Sequence, residues 1–294
     1  MSAVKDAIIL AGGMGTRMLP ASLYMPKETM PLVDTPLLNH LVWEAARAGV
    51  TRVHLVLSPG KRGILSEFIG RGRIHEETVR PDLPGDSLTL GVKGVEIIPH
   101  VQSSSLGVAD AISVALEDIS GPFLVILGDN LLISDHCGPE FSGKERASDA
   151  SARMVSSFEK SGLPCVGICR VESSEVSKYG VVELRENTIL QIVEKPSESE
   201  APSNYIMCGR YLLPENSADI LEKIPVSDFG ELQSIQLLNH LIISGGLQAV
   251  KMDDMRMYDS GSPLAWLKSQ VDHALRRDDM GGQFYEWIKK RILE

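Results

Sequence analysis

Residues 7–42 read AIILAGGMGTRMLPASLYMPKETMPLVDTPLLNHLV. The stretch opens as an apolar run, the pattern of a short strand buried on both faces. Glycines follow at positions 12, 13 and 15. They let backbone approach a ligand closely, and successive N–H groups there can form a nest for an anion. No Gly-Lys-Ser/Thr follows, so this is not the P-loop; a third glycine at the helix entry is missing, so it is not the dinucleotide fingerprint. Taken alone, the glycines read equally as a tight structural turn. Arg17 and Lys27 shift that balance. Pro20, Pro26 and Pro31 stiffen the segment and hold both cations on a constrained path. Two such cations beside a glycine nest suit a polyphosphate. Either cation alone is more often a solvated surface side chain.

Outward from this stretch, strands and helices alternate. Leu37–Ala48, stopped by Gly49, reads as a helix. VTRVHLVLS is the next strand and Lys61–Ile69 a helix. GVEIIPHV is a third strand, Val108–Leu116 a helix, and PFLVILGDN a fourth strand, apolar up to Leu127. Continuous apolar strands separated by helices predict an α/β fold, doubly wound on a mostly parallel, mixed sheet of Rossmann-like type. The second half is richer in strands: CVGICRV, GVVELRE, ILQIVEK and YIMCGRYLL, later LQAVKM. It predicts an antiparallel or mixed extension of the sheet. Ser217–Ile224, Leu232–Ser244, Leu264–Arg277 and Gln283–Leu293 read as helices. Arg71–Lys93 and Asp135–Ala150 read as polar surface excursions. No repeat and no linker interrupts the chain, so one unit over residues 1–294 is expected.

The chain has 294 residues, 43% of them hydrophobic, enough for a substantial core. A net charge of −10 argues against a nucleic-acid partner. No apolar run reaches the length of a membrane span, and no segment resembles a signal peptide. A cytoplasmic location is expected. Cys137, Cys165, Cys169 and Cys208 are expected to be reduced. Cys165 and Cys169 would share one face of a strand, and no histidine or cysteine nearby completes a zinc site.

Further positions carry chemistry. Asp129 ends an apolar strand in VILGDN, at the sheet edge where α/β proteins bind ligands; Gly-Asp-Asn is equally a common turn. Asp259, in MYDSGSP, also follows a strand and precedes a glycine. Two carboxylates with phosphate oxygens and waters make a usual magnesium environment, though sequence spacing leaves open whether these two meet. Glu194 can accept sugar hydroxyls and Lys195 can pair with a phosphate, or the two form an exposed ion pair at a strand end. Gln102, in VQSSSLGVADAI, offers a donor and an acceptor to a base edge; the same segment reads as a helix cap.

In this order the motifs resemble the sugar-1-phosphate nucleotidyltransferase family, in particular its UTP–glucose-1-phosphate uridylyltransferases. The resemblance rests on GTRMLPAS, PKETMPLVDTPLLNHLV, YGVVE, VEKP, APSNYIMCGRYLL and GGQFYEWI, from about Asp6 to Ile288. It implies a nucleotide-binding half over 1–134, a strand-rich sugar-phosphate half over 151–263, and a C-terminal helical segment over 264–294. It implies that Leu10, Ala11, Gly12, Gly13, Gly15 and Thr16, with Gln102, Gly107 and Asp129, hold the nucleotide. Arg17 and Lys27 would act on the polyphosphate as catalytic cations. Asp129 and Asp259 would hold Mg2+, and Gly180, Glu194, Lys195 and Met207 would line the sugar phosphate. The reaction implied is nucleotidyl transfer from UTP to glucose 1-phosphate, with small-molecule partners and a homodimer or homotetramer.

LAGG, VILGDN and QSSSLGVADA are also similar to the glucose-1-phosphate thymidylyltransferases, which use dTTP. Two other classes stay open: a non-catalytic relative that senses sugar nucleotides, and a glycosyltransferase on a similar sheet. Retention of Arg17, Lys27, Asp129 and Asp259 argues against the first, and the long cationic opening loop against the second.

Overall fold

The computed structural model describes residues 4–61, 94–104, 106–138, 146–224 and 234–293. The opening apolar run is strand β1 (Asp6–Ala11). Strands β2 (Pro31–Leu32) and β3 (Thr35–Pro36) form a small hairpin that leads into helix α1 (Leu37–Arg47). Then come β4 (Arg52–Leu57), β5 (Glu96–Val101), helix α2 (Val108–Ser113), β6 (Phe123–Leu127) and β7 (Asn130–Ile133). The second half has helix α3 (Ala150–Ser161) and strands β8 (Cys165–Arg170), β9 (Gly180–Arg185), β10 (Thr188–Glu194) and β11 (Tyr205–Leu213). Helices α4 (Ser217–Leu221) and α5 (Ser234–Ser244), strands β12 (Gln248–Lys251) and β13 (Arg256–Asp259), and helices α6 (Pro263–Arg276) and α7 (Gly281–Leu293) complete it.

Nine strands form one sheet in the order β5-β4-β1-β6-β11-β8-β12-β10-β9. The β5-β4-β1-β6 portion is parallel throughout. Strand β11 runs antiparallel to β6 and joins the two halves. Beyond it the sheet is mixed: β8 and β12 are parallel, while β10 is antiparallel to β12 and β9. The expected fold class, with a parallel first half and a mixed extension, is the one observed.

The unbroken apolar runs have a simple cause. Ala7, Ile9 and Ala11 face a core beneath α1 and α3, whereas Ile8 faces a second core beneath α2, α4 and α5. Leu124 and Ile126 join the first core; Phe123 and Val125 join the second. Both faces are covered, so both sets of alternating residues must be apolar. Cys165 and Cys169 lie on one face, in the first core, and none of the four cysteines forms a disulfide.

Some elements differ from expectation. Helix α3 is absent from the sequence reading because its buried stripe is narrow, only Ala150, Ser151, Met154 and Val155, and serines mask its period. The Asp135–Ala150 excursion is not all surface: Ala147, Ser148 and Ala150 are buried. The Ala147 carbonyl accepts from Arg47, and Ser148 Oγ accepts from Ala150 N–H. The helix expected over Val108–Leu116 ends at Ser113, and Leu116–Asp118 is a separate 3-10 turn. The helix expected from Lys61 and the Arg71–Lys93 excursion lie outside the described residues beyond Lys61, as does the start of the helix expected from Leu232. Among the described residues, no helix is long and apolar enough to cross a membrane.

Candidate active site

Strand β1 lies between β4 and β6, so the strand order changes direction beside it. In open α/β sheets the crevice at the carboxyl ends of such strands takes the ligand. Two loops meet there: Gly12–Gly15 after β1, and Gly128–Asp129 after β6. Gly128 N–H donates to Leu10 O at 3.0 Å. A Cβ on Gly128 would stand 2.4 Å from that oxygen, so only glycine permits the approach.

The glycine loop is presented as a nest. The N–H groups of Gly12, Gly13, Met14 and Gly15 donate to no described residue. The carbonyls are held from below: buried Lys61 donates to Ala11 O at 2.8 Å and Gly13 O at 2.5 Å. The same ammonium meets both oxygens of buried Glu28, at 2.8 and 3.1 Å. Burial pushes the Glu28 carboxyl up, with Lys61 opposing, and pushes the Lys61 ammonium down, with Glu28 opposing. Glu28 directly follows Lys27, so one buried ion pair anchors both the loop and the segment carrying that cation. Neither Lys61 nor Glu28 was legible as part of the site. Lys61 reads in sequence as the first residue of a helix, 33 positions away from its partner.

Lys27 Nζ pairs with Asp129 Oδ2 at 2.7 Å and lies over the loop, 3.7 Å from where a Cβ on Gly13 would stand. Arg17 and Thr16 are exposed, following Gly15, whose φ of 66° is left-handed. Arg17 makes no ion pair with a described residue. Its Nη2 reaches 3.4 Å from the Cβ position of Gly261, beside Asp259.

The two acids expected to cooperate stand at the same end of one two-stranded ribbon. Strands β7 and β13 pair antiparallel, with Asp259 opposite Asn130, the residue after Asp129. Ser260 clamps the junction, donating to Asp129 O through N–H at 3.0 Å and Oγ at 2.9 Å. Helix α6 starts just beyond, with Ser262 accepting from Ala265 N–H and Pro263 in the first turn. Lys27 takes one oxygen of Asp129, and Gly261 N–H takes Oδ1 of Asp259 at 2.6 Å. The other oxygen of each carboxylate has no partner among the described residues. Two free hard oxygens fit magnesium, which commonly binds one or two carboxylates and completes its shell with phosphates and waters. No set of three or more His, Cys, Asp or Glu among the described residues could hold a metal unaided.

On the far side of the loop, Gln102 is buried. Its Nε2 donates to Asp110 Oδ2 at 2.7 Å and Gly107 O at 3.2 Å. Its Oε1 faces Gly12, 3.3 Å from where a Cβ would stand. Gly107, at φ 106° and ψ 175°, has a backbone shape open to glycine almost alone. Sequence reasoning gave Gln102 both a donor and an acceptor for the base. In the structure its donors are engaged within the protein and its acceptor faces the loop.

Three of the four sugar-side residues converge. Gly180 pairs with Glu194 across β9 and β10, and a Cβ on Gly180 would stand 2.4 Å from Met207 Cε and 3.1 Å from Glu194 Oε2. Lys195 is exposed, with Nζ 3.5 Å from Glu194 Oε1. Its φ of 46° is unusual for a non-glycine residue, and its N–H donates to Tyr179 O. Fully buried Arg210 on β11 ties this half to the acids. It grips Glu44 at 2.8 and 2.9 Å and donates to Asn130 Oδ1 at 2.7 Å. That position too escaped sequence reading, since an arginine in an apolar strand carries no local sign of its partner.

Comparison with known proteins gives one answer. The family model described as nucleotidyl transferase matches residues 6–274. UTP–glucose-1-phosphate uridylyltransferase 2 of Staphylococcus saprophyticus is 30% identical over 302 residues, covering 100% of both chains. A UTP-bound UGPase from Acinetobacter baumannii superposes with a TM-score of 0.81 at 27% identity, over 97% of this chain and 98% of that one. A UDP-glucose pyrophosphorylase complexed with UDP-glucose gives 0.76 at 29% identity, over 92% and 98%. A match that runs from β1 through α6, on a strand order that sets the open amides of the loop beside Asp129, makes this chain a member of the nucleotidyl transferase family.

Proposed function

We propose that the protein transfers uridylyl from UTP to glucose 1-phosphate, giving UDP-glucose and pyrophosphate in a magnesium-dependent reaction. The observation that carries this reading is the Lys27–Asp129 pair seated over a loop whose amides have no partner within the described protein. Uridylyltransferase relatives over the full chain, and UTP and UDP-glucose complexes of similar fold, support the substrates.

The chemistry asks little proton work of the protein. The phosphate of glucose 1-phosphate is already an anion at neutral pH, so no general base is required. The obstacle is repulsion between two anions in an in-line approach. The Gly12–Gly15 amides would hold the polyphosphate, with Arg17 directed at the departing pyrophosphate. Lys27 would leave Asp129 for the α-phosphate as negative charge builds there. Glu194 would orient sugar hydroxyls, Lys195 would meet the sugar phosphate, and Gly180 would leave room for the ring against Met207. Magnesium held by Asp129 and Asp259 would neutralise phosphate oxygens.

The test is a substrate matrix: UTP, dTTP, CTP, GTP and ATP against glucose, galactose, mannose and N-acetylglucosamine 1-phosphates, read by pyrophosphate release. UTP with glucose 1-phosphate is expected to give the highest kcat/KM. Higher kcat/KM with dTTP would replace uridylyl by thymidylyl transfer, and no release with any pair would remove the catalytic reading.

A further inference from the structure

We propose that Asp110 is a specificity-determining residue that locks the side-chain amide of Gln102 and so makes the site select bases carrying an imide N–H. The proposal rests on the pyrimidine nucleotide binding in the cleft described above. It concerns a residue on α2 that accepts from Gln102.

The argument is one of donors and acceptors. A glutamine amide can rotate by half a turn, exchanging its oxygen and nitrogen at nearly equal size. Free, Gln102 would present either an acceptor or a donor to a base and would discriminate poorly. Here its Nε2 lies 2.7 Å from Asp110 Oδ2 and 3.2 Å from Gly107 O. An ionised carboxylate and a carbonyl oxygen only accept. The flipped amide would set Oε1 against both of these oxygens, in a buried position where repulsion and two unmet N–H groups are costly. The orientation is therefore fixed from behind. Oε1 is left facing Gly12 of the loop.

An acceptor held at that place requires N–H from its ligand. The N3 position of uracil and thymine carries a hydrogen; N3 of cytosine carries a lone pair. Asp110 thus separates UTP and dTTP from CTP and does not separate UTP from dTTP. Asp110 acts through its bond to Gln102 and is a positioning residue. Its own place is secured by α2, where Ser113 Oγ donates to its carbonyl at 2.7 Å.

The experiment measures kcat/KM for UTP, dTTP and CTP, and Kd for each nucleotide by titration calorimetry, on the intact wild type, Asp110→Ala and Asp110→Asn. Thermal melting checks that each is folded. Asp110→Ala should lower the UTP-over-CTP ratio at least about tenfold, mainly through KM and Kd, because only the longer contact to Gly107 O then opposes rotation of Gln102. Asp110→Asn keeps an acceptor oxygen and should retain most of the wild-type ratio even if Asp110→Ala folds poorly. A purely structural role would weaken both nucleotides alike. A ratio unchanged in Asp110→Ala overturns the proposal and leaves uridylyl transfer standing. A wild type that binds CTP as well as UTP overturns it as well. A wild type that binds neither UTP nor dTTP removes the underlying reading, and the proposal with it.

Discussion

Lys27 Nζ lies 2.7 Å from Asp129 Oδ2 across 102 residues of sequence. The pair neutralises two groups that the proposed reaction needs apart: a cation for the α-phosphate and a carboxylate for the metal. Substrate binding would exchange one ion pair for two charge-assisted contacts, so Lys27 should matter to turnover more than to folding.

Lys27→Ala should lower kcat by about 100-fold or more. Asp129 is partly exposed, so loss of the pair should shift Tm by no more than about 2 °C. Pyrophosphate release and thermal melting on the same preparation check this. Near-normal turnover would sink the role given to Lys27.

Lys61→Met should behave differently. It leaves Glu28 buried without its partner, at a cost of about 3–5 kcal/mol. Adding Glu28→Gln should recover part of that stability. It should not recover KM for UTP, because the carbonyls of Ala11 and Gly13 remain unheld. Urea unfolding and steady-state kinetics on both variants separate the two effects.

Gly180→Ala places a methyl 2.4 Å from Met207 Cε and 3.1 Å from Glu194 Oε2. Met207 is flexible and can give way, so folding should survive. The KM for glucose 1-phosphate should rise by about tenfold or more, with the KM for UTP little changed. An equal rise in both would place Gly180 outside the sugar side.

Chelation with EDTA should abolish turnover and added magnesium should restore it. Asp259→Asn should raise the magnesium concentration for half-maximal rate by about tenfold or more. A rate independent of magnesium in the wild type would exclude the metal role of both acids.

Stability should fall in mild acid because of His40 and His273. Burial lowers their pKa values to about 4 and about 3, with Arg277 adding to the shift at His40 and His40 itself adding to it at His273. The folded state keeps both rings neutral, while the unfolded chain takes up protons below its ordinary value near 6.5. Their contribution is complete above that pH and is lost as pH falls toward 4. Each ring accounts for up to about 1.4 kcal/mol per pH unit in that window. Melting curves from pH 7.5 to 4.5 should show this slope, and His273→Gln should flatten it.

Some of this was legible in the sequence because the evidence is local. Gly12, Gly13, Arg17 and Lys27 fall within one short stretch, and prolines restrict where their backbone can go. Asp129 declares itself by ending an unbroken apolar strand. Gly180 was assigned to the sugar side by resemblance alone, Glu194 also by the acceptors its carboxylate offers to hydroxyls; in the structure they pair across neighbouring strands, so little chain separates them. The partnerships of Asp259, Lys61, Arg210 and Asp110 were not legible. Each depends on a contact made across the sheet or between loops, and no periodicity of the chain records which acceptor a buried cation or amide will find.

By itself, then, the sequence determined the strand-and-helix alternation, the glycine loop and the cations placed on it, since backbone restriction and hydrophobic period act over a few residues. The tertiary structure decided that β7 and β13 pair so that Asp129 and Asp259 share one ribbon. It decided that Lys61 turns the loop's carbonyls inward, and that Gln102 shows its oxygen rather than its nitrogen to the site. Those outcomes are set by burial, where a polar group must take whichever partner packing brings within hydrogen-bond reach.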